Sequence, residues 1–134
     1  MSGGRVGPVA LAGVDAAYGL TYSGVDTISA DVVVRSLADG AVLRRRDSWS
    51  GTSAPEYFQT VDDIAVKRDG SVAWVVREGS IVSGNETDTE VEKSDRSKGT
   101  LLDRSSQIKV HSLLLHGSRL SWQDGSATQH ATLR

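Results

Sequence analysis

Cysteine is absent from the 134-residue sequence. That removes disulfides, thiolate nucleophiles and cysteine-ligated zinc together, while leaving the compartment open. Proline is scarce, with 2 residues, and phenylalanine and methionine occur once each. Neither sign of charge dominates: 15 basic residues face 17 acidic ones, for a net charge of -2. Without a basic stripe to neutralise phosphates, no nucleic-acid partner is expected. No apolar run approaches the ~20 residues of a membrane-spanning helix, so no membrane partner is expected either. The stretch Met1 to Gly13 holds one arginine and only the short run Val9-Ala10-Leu11-Ala12, with Asp15 close behind. A signal peptide wants a longer apolar core, so no export signal is read here, although a mature fragment lacking its leader would read the same. Glycine-rich phosphate loops, a dinucleotide fingerprint and a G-x-S-x-G elbow are all missing, so no cofactor and no enzymatic activity are expected.

What is present describes one folded unit. A hydrophobic fraction of 38% and a charged fraction of 24% suit an ordinary globular chain, and the length suits a single domain over residues 1–134. Its 14 glycines fall where hairpins turn. Asp39-Gly40, Asp69-Gly70 and Asp124-Gly125 tolerate the positive φ of tight turns, and Lys98-Gly99 and His116-Gly117 sit in similar settings. Apolar residues alternate around them. Ile64 and Val66 before one turn answer Val72, Trp74 and Val76 after it, the period-two signature of strands with one face in a core. Sustained helical spacing is absent. The class is all-β.

The chain also repeats. Val9 to Tyr18 (VALAGVDAAY), Ile64 to Trp74 (IAVKRDGSVAW) and Leu113 to Trp122 (LLLHGSRLSW) are each an aliphatic strand, a glycine turn, and a strand ending on a small residue and an aromatic. Val32 to Leu43 (VVVRSLADGAVL) aligns with Val91 to Leu102 (VEKSDRSKGTLL), and Ser126 to Leu133 leaves one strand for a third copy. The units run approximately 9–46, 61–103 and 110–134. Tyr18, Trp74 and Trp122 are 56 and then 48 residues apart, close to the period of propeller blades.

With its strand, glycine turn, Ala-Trp pair and the segment VVVRSLADGAVLRR, the chain resembles the blades of TolB-type and WD-repeat-type β-propellers. It is most similar to propeller-like proteins of unassigned function from high-GC actinobacteria. Arginine outnumbering lysine eleven to four agrees with such a genome. The resemblance implies about three antiparallel propeller-blade-like repeats, and relatives of this kind are often secreted. It carries no catalytic residue. Propellers usually close with at least four blades, so two chains pairing into a six-bladed ring is one expectation. A β-trefoil or another small barrel, closing by itself, is the alternative. The fourth strand of the last copy is missing, and only Arg5-Val6-Gly7-Pro8 is left to supply it.

Candidate chemistry is sparse. His111 and His116, five apart on one strand, would point to opposite faces, and His130 alternates with threonines, so all three read as surface or turn residues. Asp62-Asp63 and the carboxylate-rich Asn85 to Glu92 read as solvated rather than as an ion site, so no metal is expected. Asn85-Glu86-Thr87 fits a glycosylation sequon. Ser106 to Lys109 has S-x-x-K spacing but no helix to carry it. Arg44-Arg45-Arg46 would guard an exposed sheet edge. The connector Asp47 to Thr60 is the most site-like feature, because it gathers Trp49, Tyr57 and Phe58 among serine, glycine and proline. Loop aromatics on a rigid sheet suit peptide or sugar recognition; the competing role is to pin the loop to the core. The expected function is therefore a non-enzymatic module binding a protein or peptide through its loops, with a homodimer as one arrangement. Carbohydrate binding through Trp49, Tyr57 and Phe58 is the alternative.

Overall fold

The computed structural model describes residues 4–53 and 55–134, leaving the side chain of Thr87 aside. Among them the chain forms eleven strands and no helix. The first four, β1 (Arg5–Ala12), β2 (Asp15–Ser23), β3 (Ile28–Ser36) and β4 (Val42–Asp47), make an antiparallel meander. A second meander follows with β5 (Tyr57–Val66), β6 (Val72–Ser80), β7 (Glu86–Asp95) and β8 (Lys98–Ser105). The third is shorter: β9 (Leu114–His116), β10 (Arg119–Asp124) and β11 (Ala127–Thr132). A single parallel contact, Ile28 to Phe58, joins the first two into one continuous sheet.

Turn chemistry fixes the hairpins. Gly13, Gly70 and Gly117, at φ of 60°, 86° and 60°, turn β1 into β2, β5 into β6 and β9 into β10. The three aligned strand-turn-strand segments fall on these hairpins. Lys98-Gly99 does not form the turn expected of it. The bend lies at Arg96–Ser97, and Lys98 itself adopts the positive φ of 85°, because Asp95 Oδ1 accepts from both the backbone N–H and the hydroxyl of Ser97 and pulls the turn forward.

The meanders stack through two apolar layers. Ala17, Val32 and Val34 of the first meet Ile64, Val72, Trp74 and Val76 of the second. The opposite face of the second, with Ala73, Val75 and Val91, meets Leu113, Leu120, Trp122 and Leu133. Sandwiched on both sides, β6 is buried without a break from Val72 to Val76, the continuous apolar run expected of a strand with no wet face. The last residues clamp the third meander down. Lys93 Nζ donates to Thr132 O (2.8 Å) and Lys67 Nζ to Leu133 O (2.8 Å), while Arg134 N donates to Asp95 Oδ2 (2.7 Å).

Neither sheet closes on itself, so a trefoil or small barrel is not what forms. Each meander buries its apolar face against the next instead of curling to bury its own. Arg5-Val6-Gly7-Pro8 does not complete the third meander either. It opens β1, pairing with β2, with a register shift between Val6 and Val9.

Candidate functional site

The connector between β4 and β5 settles into the gap between the first two meanders, on the side of their shared layer. Ser48 is fully buried; its N–H extends the β4 pairing to Ala30 O (3.0 Å) and its carbonyl accepts from Trp74 Nε1 (2.8 Å). Ser50 N donates to Glu90 Oε1 (2.9 Å) and Ser50 Oγ to Glu92 Oε1 (2.5 Å). Ala54, within this connector, lies outside the described residues.

Glu90 and Glu92 correct an expectation. The carboxylate-rich stretch is not a solvated loop: it is β7, and both glutamates are buried, at 0% and 5% exposure, on the face that carries Trp74. Glu90 is held by Arg104 through Nε (2.8 Å) and Nη2. Glu92 forms no ion pair among the described residues. Its Oε2 finds no donor among the described residues, and its neighbour is another carboxyl. Burial, followed by the hydrogen bond it shares with Glu90, pushes the Glu92 carboxyl up to about 9. The pair therefore holds one proton between two acids, with Ser50 fastened across it. Asp63 is likewise not a solvated residue: it accepts from Leu113 N (3.1 Å) and Ile64 N (3.0 Å), and burial raises its pKa. Asp62 is paired with Arg77.

Trp49 stands between two hollows. On one side a cleft of about 400 Å³ is lined by Trp49, Ser50, Trp74, Glu92 and Leu101, among others. On the other, Trp49 shares a cavity of about 230 Å³ with Tyr22, Asp31, Asp47, Tyr57 and Gln59. The cavity has a topological cause. Facing β3 on its far edge, β4 stops at the Asp31–Asp47 pair, and β5 touches only at Ile28–Phe58. The sheet parts at Ser29 and Ala30, where Ala30 N turns to the side chain of Gln59 (3.1 Å).

Of the three connector aromatics, Trp49 and Tyr57 line this cavity. Phe58 does not: its ring lies over Gly79, where an added Cβ would sit 2.5 Å from Cζ. Trp49 Nε1 is buried without a partner among the described residues. Trp49 and Tyr57 are both half-buried. Tyr22, Asp31 and Asp47 escaped the sequence reading, because what collects them is the split between β4 and β5, which has no local signature.

The remaining candidates stay apart. His111, His116 and His130 are exposed. His116 and His130 share one face of the third meander, where Arg119 Nε donates to His130 Nδ1 (3.3 Å). No cluster of three or more metal-ligating side chains occurs among the described residues. Ser106 to Lys109 lies in the turn after β8. Arg45 ion-pairs with Asp31 (2.8 Å), while Arg44 reaches across to Ser94 Oγ (3.2 Å), so the arginine run is partly a tie between meanders. In the sequon the side chain of Thr87 falls outside the described residues.

No protein-family model, curated protein or solved structure matches the chain.

Proposed function

We propose that this chain is a non-enzymatic, propeller-blade-like β-repeat module that binds protein through the open face of its first meander, the partner being a second copy. One observation carries the reading. The aromatic that ends each repeat faces the preceding meander: Trp122 lies in the layer against the second, and Trp74 in the layer against the first. Tyr18 is the third of this series. It pairs with Val9 and Val33 on the side of the sheet opposite Ala17, where no further strand of the described residues is stacked. Around it Val6, Val9, Leu11 and Val42 are 64%, 58%, 67% and 50% exposed. An apolar sheet face of this kind marks a contact surface.

The far end of the stack favours like pairing with like. The outer face of the third meander presents His116, Arg119, Ser121, Gln123 and His130. A six-bladed ring would set this polar face against the apolar one. A twofold pairing of first meander with first meander sets apolar against apolar. Sedimentation equilibrium tests this: a mass near twice 14.2 kDa, reduced to one chain by Leu11→Lys with the fold retained, supports it. A folded monomer at all concentrations, or an assembly indifferent to Leu11→Lys, sinks it.

A further inference from the structure

A second site lies at the other end of the stack. We infer that the hollow on the outer face of the third meander binds a tetrahedral oxyanion carried on a small organic body, a phosphate or sulfate monoester. The twofold pairing of first meanders leaves this face free, so neither reading rests on the other.

The ladder brings the site together. Arg119 stands between His116 on β9 and Thr132 on β11, and His130 follows one step along the same face, beside Ser121. His116, Ser118, Arg119, His130, Ala131 and Thr132 line a hollow of about 600 Å³, and no carboxylate is among them. Arg119 forms no ion pair among the described residues, and neither does Lys67, which reaches Ser118 from the second meander.

Hydrogen bonds within the site decide what its free ends can do. Lys67 Nζ donates to Ser118 Oγ (2.7 Å), so this hydroxyl has an ammonium behind it and keeps its own O–H to give. Arg119 Nε donates to His130 Nδ1 (3.3 Å). A neutral imidazole that accepts at Nδ1 carries its proton on Nε2 and is a donor there. The same bond holds the guanidinium, whose two Nη groups make no hydrogen bond among the described residues. Ser118 and His130 thus each spend an acceptor inside the site and keep a donor, and Thr132 adds a hydroxyl. Donors gathered around a guanidinium with no counter-charge select an anion.

The placement of the donors sets the kind of anion. Ser118 comes from the β9–β10 turn, Arg119 from β10 and His130 from β11. Three separate directions suit the three free oxygens of a monoester better than the two of a carboxylate. Ala131 and the His116 ring add apolar lining beside them, which the organic body can cover. His116, Ser118, Arg119, His130 and Thr132 are all exposed, so the rest of a longer ligand can stay in water.

The test is titration of the full chain, at constant pH in a buffer free of oxyanions, with phenyl phosphate, phenyl sulfate and methyl phenyl sulfone as the neutral tetrahedral control. The imidazole resonances of His116 and His130 report binding. Saturable binding of a monoester, silence with the sulfone, and a weakening of about tenfold or more in Arg119→Gln are expected. Which monoester binds tighter separates a phosphate source from a sulfate one. Arg119 is exposed, so this variant keeps the fold, and unfolding midpoints check that it does. Ser118→Ala is the second variant and should weaken binding about threefold or more. An equal response to the sulfone, undiminished binding in Arg119→Gln, or no saturation by either monoester into the millimolar range would overturn the inference.

Discussion

Replacing Glu92 with glutamine should make the protein more stable at neutral pH, and the gain should vanish in acid. A glutamine can copy the protonated acid: its carbonyl accepts from Ser50 Oγ as Oε1 does, and its amide can donate to Glu90 as the proton does. The native side chain must keep a proton to do the same. Its carboxyl is raised from the ordinary 4.5 to about 9, so between those values the folded chain holds a proton that the unfolded chain has released. Stability from this group is fully present below the lower value and declines as pH rises towards the upper one. At about 1.4 kcal/mol for each pH unit, the native protein loses on the order of 2–3 kcal/mol between about pH 5 and about pH 7 through this residue alone. Other titrations common to both proteins cancel in the difference. Urea unfolding, followed by tryptophan fluorescence, measures it. The variant should lie close to the native protein at about pH 5 and exceed it by those 2–3 kcal/mol at about pH 7. A native-minus-variant difference that is the same at both pH values would refute the shared proton.

Three further outcomes are expected. Asp95 is the reverse case: burial would raise its carboxyl, but the Ser97 hydroxyl, the Lys93 ammonium and the Arg134 N–H outweigh it and hold it well below the ordinary range. Its stabilisation is present above pH 3.8 and is lost on acidification. Asp95→Asn should cost about 3 kcal/mol at neutral pH and flatten the acid limb of a urea-midpoint series. Gly79→Ala should lower the unfolding midpoint by the equivalent of about 2 kcal/mol or more, because its Cβ would meet Asn85 O and Phe58 Cζ at 2.5 Å. Gly99→Ala, with only Lys93 O at 3.8 Å, should change it by less than about 0.5 kcal/mol.

The hairpins were legible because their causes are local. A glycine that must turn and apolar residues at period two are visible within ten residues, which is why Val9–Tyr18, Ile64–Trp74 and Leu113–Trp122 fall on strand pairs. Burial of polar groups was not legible. Thr89-Glu90-Val91-Glu92 alternates correctly for a strand, but with Val91 turned towards the third meander, both glutamates are left facing the first. Only the stacking of three meanders, with the connector folded over their seam, makes that face an interior. The same holds for the cavity. Trp49 and Tyr57 stood out by composition, whereas Tyr22 and Asp31 joined them only where β3 loses one partner before gaining the next.

The repeat reaches furthest where its copies differ. Trp74 and Trp122 are 1% and 3% exposed, and each anchors a layer between meanders. Tyr18 occupies the same place in the first copy, and its position is what makes the outer sheet face comparable with the two buried ones. A tyrosine suits that place, since its ring can join an apolar layer while its hydroxyl stays hydrogen-bonded at the margin, as it is here by Arg35 Nε (3.3 Å). The third copy departs in the opposite sense: where β6 puts Ala73 and Val75 on its trailing face, β10 puts Ser121 and Gln123. The outer face of the first meander thus mixes Val9, Leu11, Tyr18 and Val42 with Arg35 and Arg45, whereas that of the third presents polar side chains throughout β10 and β11. A terminal repeat with a polar outer face is what ends a stack. In the pairing proposed above only the first meander's outer face is used, so that assembly would stop at two copies.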